Sequence, residues 1–173
     1  MIHVCSLLRL HDTVAATGAR HVVSLLGNED NLMLPPGIAR SDHLWLQFHD
    51  IVEPREGHIH PAGEHVERLV GFVNRWERAS PMVIHCYAGV SRSTAAAFVA
   101  VCALNPAGTE GAIAQALRRA SPTATPNMRI VALADDVLGR RGHMVDAVTA
   151  IGQGMLAEAA PFRLELQGHR ADQ

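Results

Sequence analysis

The chain has 173 residues, of which 48% are hydrophobic and 18% are charged, and its formal net charge is -2. This length fits one domain with a single core, and the near-neutral charge argues against a general affinity for nucleic acid or anionic membranes. No apolar run reaches the roughly 18 residues that a membrane span requires, and three cysteines are too few for a disulfide framework.

The start of the chain, MIHVCSLLRLHD, lacks the basic residues and long apolar stretch of a signal peptide. We therefore expect a cytoplasmic protein whose thiols stay reduced.

Short apolar runs alternate with helical stretches along the chain. Runs rich in β-branched residues predict strands at residues 2–8, 21–26, 43–48 and 81–86. Apolar periodicity predicts helices at 11–19, 62–78, 93–104, 111–120, 128–139 and 142–160. The last dozen residues are expected to form a surface tail. This alternation favours an α/β fold in a single domain, residues 1–173, with a central, mainly parallel sheet flanked by helices.

The most informative stretch is PMVIHCYAGVSRSTAAAF, residues 81–98. Cys86 ends a predicted strand, and a short loop leads from it into a helix that begins near Ser91. Ligands of parallel sheets bind where the carboxyl end of a strand enters a helix. Backbone N–H groups and the positive end of the helix can bind an anion there, and Gly89 permits the backbone shape that this needs. Arg92 can hold two oxygens of one phosphate. The predicted phosphate-binding residues are Tyr87, Ala88, Gly89, Val90, Ser91 and Arg92.

The same positive groups act on Cys86. A helix N-terminus and a neighbouring arginine favour the thiolate form of a cysteine. A nucleophile held against a phosphate-binding loop predicts covalent catalysis, in which the phosphoryl group passes to sulfur.

The stretch HCYAGVSRST resembles the signature loop of the cysteine-dependent protein tyrosine phosphatases, in which His-Cys is followed by five residues, Arg, and Ser or Thr. It is most similar to a compact, dual-specificity-like bacterial type. The resemblance implies that Cys86 is the nucleophile and that Arg92 binds the phosphate and the transition state. It also implies that Ser93 donates a hydrogen bond to the departing thiolate and that His85 supports the loop.

Two flanking stretches agree with this resemblance. One is FHD at 48–50; the other is SPTATPN at 121–127, which is similar to the Pro-Asn-initiated helix of the compact phosphatases. The resemblance covers about residues 43–139. It implies no cofactor.

Three other interpretations use the same residues. A buried structural cysteine at the end of a strand needs no arginine after the loop. A rhodanese-like sulfur carrier usually has a shorter loop. A non-catalytic phosphate-binding module of the same fold usually lacks the cysteine or the arginine, so the presence of both Cys86 and Arg92 favours an enzyme.

A phosphatase of this type needs a proton donor for the leaving oxygen. Residues 48–65 follow a predicted strand and precede a predicted helix, so they lie on the same rim as Cys86. Asp50 is the first candidate because compact relatives place their general acid at about this distance before the cysteine. Glu53 and Glu56 are the alternatives.

The same segment is rich in histidine: His49, His58, His60 and His65, with Glu64 beside the last. Imidazoles and carboxylates bind zinc or iron, but no pair here has the helical i, i+4 spacing of the best-known zinc motif. We therefore predict no metal and place these side chains at the mouth of the cleft or in solvent.

The other cysteines have different predicted roles. Cys102 lies in an apolar helix and is expected to be a small core residue. Cys5 lies in a strand that can neighbour Cys86, which leaves open a redox partnership between the two.

The predicted substrate is a phosphorylated protein or a small phosphoester. Protein phosphotyrosine comes first, then phosphoserine and phosphothreonine, then a phosphoinositide or another small ester. Tyr87 and Ala88 occupy loop positions where basic residues would strengthen binding of a polyphosphorylated lipid, so their presence disfavours such a substrate.

Overall fold

The structure, a computed structural model, describes residues 1–27 and 32–165. Its strands are β1 (Ile2–Ser6), β2 (His21–Leu26), β3 (His43–Gln47), β4 (Met82–Cys86) and β5 (Phe162–Leu164). Its α-helices are α1 (Leu10–Thr17), α2 (Gly63–Arg75), α3 (Arg92–Ala103), α4 (Glu110–Ala120), α5 (Met128–Val137) and α6 (His143–Ile151).

The strands form one sheet in the order β3-β2-β4-β1-β5. The first four run parallel, and β5 pairs antiparallel with β1 at the edge. The predicted α/β fold with a mainly parallel sheet is confirmed. Within the described part of the chain, no helix is long and apolar enough to cross a membrane.

The helices cover both faces of the sheet. On one face α1 packs against β1 and β4. On the other, α3 lies against β4, β1 and β2, and it also contacts α2, α4 and α5. The residues of α3 from Arg92 to Cys102 are all buried, as its apolar composition predicts. This places the start of α3 directly behind the end of the central strand β4.

Two predictions about the C-terminal part of the chain are wrong. The last helix was expected to run to residue 160, but α6 ends at Ile151, and Gly152 follows with a φ of +64° that a helix does not tolerate. The last dozen residues were expected to be a tail, but Phe162–Leu164 extends the sheet and buries Leu164. Residues 166–173 lie outside the described residues. The strand Phe162–Leu164 forms because its backbone pairs with the edge of β1. Three residues are too few to show a strand pattern in the sequence.

Candidate active site

The predicted phosphate loop lies at the carboxyl edge of the sheet. All five residues of β4 are buried, Cys86 is its last residue, and α3 begins at Arg92. The loop between them crosses the end of β1, where the Leu7 N–H donates to the Tyr87 carbonyl at 3.1 Å. The strand, loop and helix therefore meet as the sequence predicted.

Gly89 is required by this crossing. Its φ is +75°, a conformation that other residues rarely adopt. A Cβ at this position would also lie 2.8 Å from the Ser6 nitrogen and 2.9 Å from the Cys5 carbonyl carbon. Both the conformation and the close approach exclude a side chain here.

Two polar groups contact the sulfur of Cys86. The Gly89 N–H donates to Sγ at 3.2 Å, and the Ser93 hydroxyl lies 3.1 Å from it. Cys86 is only 2% exposed and sits at the base of a cleft. The sulfur therefore has hydrogen-bonding partners both in the loop and in the first turn of α3.

Arg92 is 7% exposed, and a backbone carbonyl fixes its side chain. Its Nη1 donates to the carbonyl of Phe48 at 2.9 Å, just beyond the end of β3. Its buried Nε has no acceptor among the described residues. The guanidinium is thus fixed in position while it keeps donor capacity for a bound anion.

Asp50 closes the same cleft from the facing loop. Its Oδ1 accepts from the Ser91 hydroxyl at 2.8 Å and from the side-chain amide of Asn127 at 2.8 Å. Asp50, Cys86 and Arg92 all line one cleft of about 510 Å³. The carboxyl group is therefore placed beside the phosphate loop.

Asn127 is a site residue that the sequence analysis did not single out. Its Oδ1 caps α5 by accepting from the N–H groups of Arg129 and Ile130, while its Nδ2 donates to Asp50. The available signal was the Pro-Asn pair before a helix, a typical N-cap. That signal predicts the cap but not the second bond.

The alternative acids lie elsewhere. Glu53 lines a second cleft of about 610 Å³, which shares Asp50 with the cleft over Cys86. Glu56 is exposed. Neither side chain is among the described residues that line the cleft over Cys86.

The histidines of residues 48–65 bind the backbone of their own loop. The Ile59 N–H donates to His49 Nδ1 at 2.8 Å, and the Ala62 N–H donates to His65 Nδ1 at 3.0 Å. His60 Nε2 lies 3.1 Å from the Val52 carbonyl. In the described ranges no group of three or more His, Cys, Asp or Glu residues is placed to hold a metal ion. These imidazoles hold the loop that carries Asp50.

His85 lies under the loop on the α1 face of the sheet. Its Nε2 is 2.7 Å from the Ser24 hydroxyl, which is in turn 2.9 Å from His43 Nε2. Burial lowers the pKa of His85 to about 4, so its ring is neutral near pH 7. Ser24, which the sequence analysis also missed, faces His85 because β2 and β4 are paired at these positions.

Cys5 does not face Cys86. It is paired with His85 across β1 and β4, and successive side chains of a strand point to opposite faces. Cys5 accordingly packs in a small cluster with Leu10 and Val14 of α1, whereas Cys86 belongs to the main core. Burial raises the pKa of Cys5 to about 11.

Cys102 is fully buried in the main core, as predicted. Burial raises the pKa of its thiol to about 12. Both Cys5 and Cys102 therefore remain neutral thiols near pH 7.

No protein-family model and no curated protein matches the sequence. Solved structures match its fold. Human DUSP28 matches with a TM-score of 0.62 at 16% identity, over 86% of this chain and 94% of that chain. DUSP15 matches with a TM-score of 0.59 at 17% identity, over 87% of this chain and 89% of that chain. Both neighbours are dual-specificity phosphatases.

The chain therefore has the fold of the dual-specificity phosphatases, as the resemblance of its loop predicted. The bacterial part of that resemblance is not supported by these matches and stays a prediction.

Proposed function

We propose that this protein is a phosphatase of the protein tyrosine phosphatase type, which hydrolyses phosphomonoesters through a cysteinyl-phosphate intermediate. One observation carries the proposal: Cys86, Arg92 and Asp50 line the same cleft on the fold of a phosphatase. Cys86 and Arg92 flank one loop, Asp50 comes from the facing loop, and each has the chemistry that one step of the reaction needs.

The first step transfers the phosphoryl group to the enzyme. The Cys86 thiolate attacks phosphorus, a sulfur–phosphorus bond forms, and the bond to the ester oxygen breaks. Arg92 and the loop N–H groups hold the phosphate oxygens as charge develops on them. Asp50, as general acid, gives its proton to the leaving oxygen.

The second step releases phosphate. Water attacks phosphorus, the Asp50 carboxylate takes a proton from that water, and the sulfur–phosphorus bond breaks. Ser93 lies 3.1 Å from the sulfur and donates a hydrogen bond to the leaving thiolate. The neutral ring of His85 holds the strand end through Ser24 without placing a second cation beside Arg92.

Protein phosphotyrosine is the first substrate we propose, followed by phosphoserine and phosphothreonine. Tyr87 and Leu156 are exposed at the mouth of the cleft and offer apolar surface to an aromatic ring. Among the described residues lining the cleft, the one basic side chain is Arg92 itself. This disfavours polyphosphorylated ligands.

Rapid mixing with p-nitrophenyl phosphate tests the proposal. The wild-type protein is expected to release about one equivalent of nitrophenol per Cys86 in a burst and then to turn over steadily, with phosphate trapped on sulfur after a rapid quench. Cys86→Ser should bind phosphate but turn over below a few per cent of wild type, while Cys5→Ser, a control thiol, should keep activity. A protein that binds phosphate saturably and releases no nitrophenol would instead be a phosphate-binding module.

Arg92→Lys tests the phosphate site by the same assay. Lysine keeps the charge but loses the two-pronged geometry, so kcat/KM should fall by orders of magnitude. Arg75→Lys, on the exposed end of α2, is the matched control. A near-normal rate for Arg92→Lys would mean that phosphate binds elsewhere.

A further inference from the structure

A second groove adjoins the cleft over Cys86. It has a volume of about 490 Å³ and lies between the Leu7–Leu8 turn after β1 and residues 157–159, with Tyr87 between the two clefts. Its lining is largely apolar, with Leu7, Leu8, Tyr87, Ala157 and Ala159 among its walls. Apart from Tyr87, which belongs to the predicted phosphate loop, none of these residues has a part in the reaction proposed above.

The two clefts adjoin each other and share part of their walls. Tyr87, Ala88, Val90 and Ala157 line both of them. A peptide substrate that places its phosphorylated side chain over Cys86 therefore brings a neighbouring side chain to the second groove. Small-molecule phosphoesters do not extend that far, so the second groove is relevant to a peptide.

The walls of the second groove are held in place by backbone contacts. On one side the Leu7 N–H donates to the Tyr87 carbonyl. On the other, the Ala157 N–H donates to the Met155 carbonyl at 3.1 Å, and the Met155 N–H donates to the Pro122 carbonyl at 2.9 Å. Gly154 packs so closely that a Cβ there would lie 2.4 Å from the Thr123 carbonyl carbon.

The rim of these clefts exposes large apolar side chains. Leu8 is 85% exposed, Tyr87 is 64% exposed, and Leu156 is fully exposed. A single exposed leucine needs no explanation, but several around one opening mark an interaction surface.

Charge identifies the occupant. Of the described residues lining the second groove, the charged one is Glu158. Anionic membranes are recognised by clusters of lysine and arginine, which this rim lacks among those residues. The surface thus fits an apolar part of a peptide better than a lipid surface.

We propose that the second groove binds an aliphatic side chain that adjoins the phosphorylated residue of a peptide substrate. This inference rests on the proposed phosphatase activity at Cys86. It makes Leu8 and residues 157–159 determinants of substrate choice.

The test compares phosphotyrosine peptides in an alanine background with leucine or serine at each position next to the phosphotyrosine. For the wild type, leucine at one of these positions should raise kcat/KM about 5- to 20-fold over serine, the range of modest apolar pockets. In Leu8→Ser the kcat/KM for the leucine peptide should be only about 2-fold above that for the serine peptide. Each value is expressed relative to the same variant's turnover of p-nitrophenyl phosphate. Ala159→Glu, which fills the groove, should do the same.

Met33→Ser is the matched control, because Met33 is another exposed apolar side chain, 77% exposed and outside both clefts. It should leave the leucine preference as in the wild type. An equal loss in both variants, or no leucine preference at any position, overturns the inference. The inference is also overturned if Leu8→Ser lowers the turnover only of phosphoinositide in vesicles, because the exposed apolar side chains would then bind a membrane. A wild-type protein that turns over neither peptide nor p-nitrophenyl phosphate refutes the proposed function itself.

Discussion

Asn127 links the start of α5 to Asp50 on the facing loop, with its Nδ2 2.8 Å from the Asp50 Oδ1. The same oxygen accepts from Ser91 in the phosphate loop. One amide side chain therefore joins a helix cap to the residue that we propose as the general acid. The relationship makes both residues testable.

Asp50→Asn removes the proton donor but keeps the size of the side chain. We expect kcat to fall about 10²- to 10⁴-fold for alkyl phosphates. The loss should be smaller for p-nitrophenyl phosphate, because nitrophenolate leaves without a proton. The alkaline limb of the pH–rate profile should flatten. Glu53→Gln is the control, and a stronger effect in that variant would move the acid to Glu53.

The two roles of Asn127, capping α5 and donating to Asp50, can be tested separately. Serine caps helices about as well as asparagine but has no amide to donate to Asp50. Asn127→Ser should therefore keep the free energy of unfolding within about 0.5 kcal/mol and lower kcat about 10-fold. Asn127→Ala should lower kcat similarly and also cost about 1 kcal/mol of stability. Steady-state kinetics and urea unfolding of both variants measure this; unchanged kcat in Asn127→Ser would show that Asp50 does not depend on Asn127.

Gly89→Ala should disable the phosphate loop. The added Cβ would contact the backbone of Cys5 and Ser6, and the positive φ disfavours alanine. A loop displaced by about 1 Å loses roughly 10²-fold in kcat/KM. Gly111→Ala is the control, since Gly111 lies in α4 with open space around it and alanine favours a helix. If the two variants have equal activity on p-nitrophenyl phosphate, the loop does not need its present shape.

His85 should make the protein less stable in acid. Burial holds its pKa at about 4, below the usual 6.5 of the unfolded chain, so the unfolded state takes up a proton first as pH falls. The resulting loss of stability builds up between about pH 6.5 and pH 4 and reaches about 3 kcal/mol.

His85→Gln is the variant that measures this, because glutamine can still bond to Ser24 but does not titrate there. Urea unfolding near pH 7 and near pH 4 should show a smaller drop in the variant than in the wild type. The other groups titrate in both proteins and cancel in the difference. Equal drops would contradict the assignment of the acid sensitivity to His85.

If the proposed activity holds, peroxide should abolish it by oxidising Cys86, and inorganic phosphate should protect the protein by occupying the loop. Cys5 faces away from Cys86 and is kept as a thiol by burial. We therefore expect a thiol reductant to restore the wild type and Cys5→Ser equally. A Cys5–Cys86 disulfide in a peptide map, with poorer recovery of the variant, would show that the strands open enough for the pair to meet.

The order of strands and helices was readable in the sequence because each of the larger elements carries its own periodicity. The arrangement of strand, loop and helix around Cys86 was readable for a related reason. Cys86, Gly89 and Arg92 lie within seven consecutive residues, so local spacing already brings their chemistry together. The short edge strand Phe162–Leu164 has no comparable signal, and it forms because its backbone pairs with the edge of β1.

The sequence by itself determined which side chains the loop presents together, since a strand that enters a helix presents these residues wherever it lies in a fold. Tertiary structure decided which distant groups serve that loop. Asn127 reaches Asp50 across 77 positions of the chain, and Ser24 reaches His85 across 61. The groove beside Tyr87 likewise lies between segments that are far apart in the chain, the residues after β1 and residues 157–159. Such contacts follow from how the helices and strands pack, and no spacing along the chain encodes them.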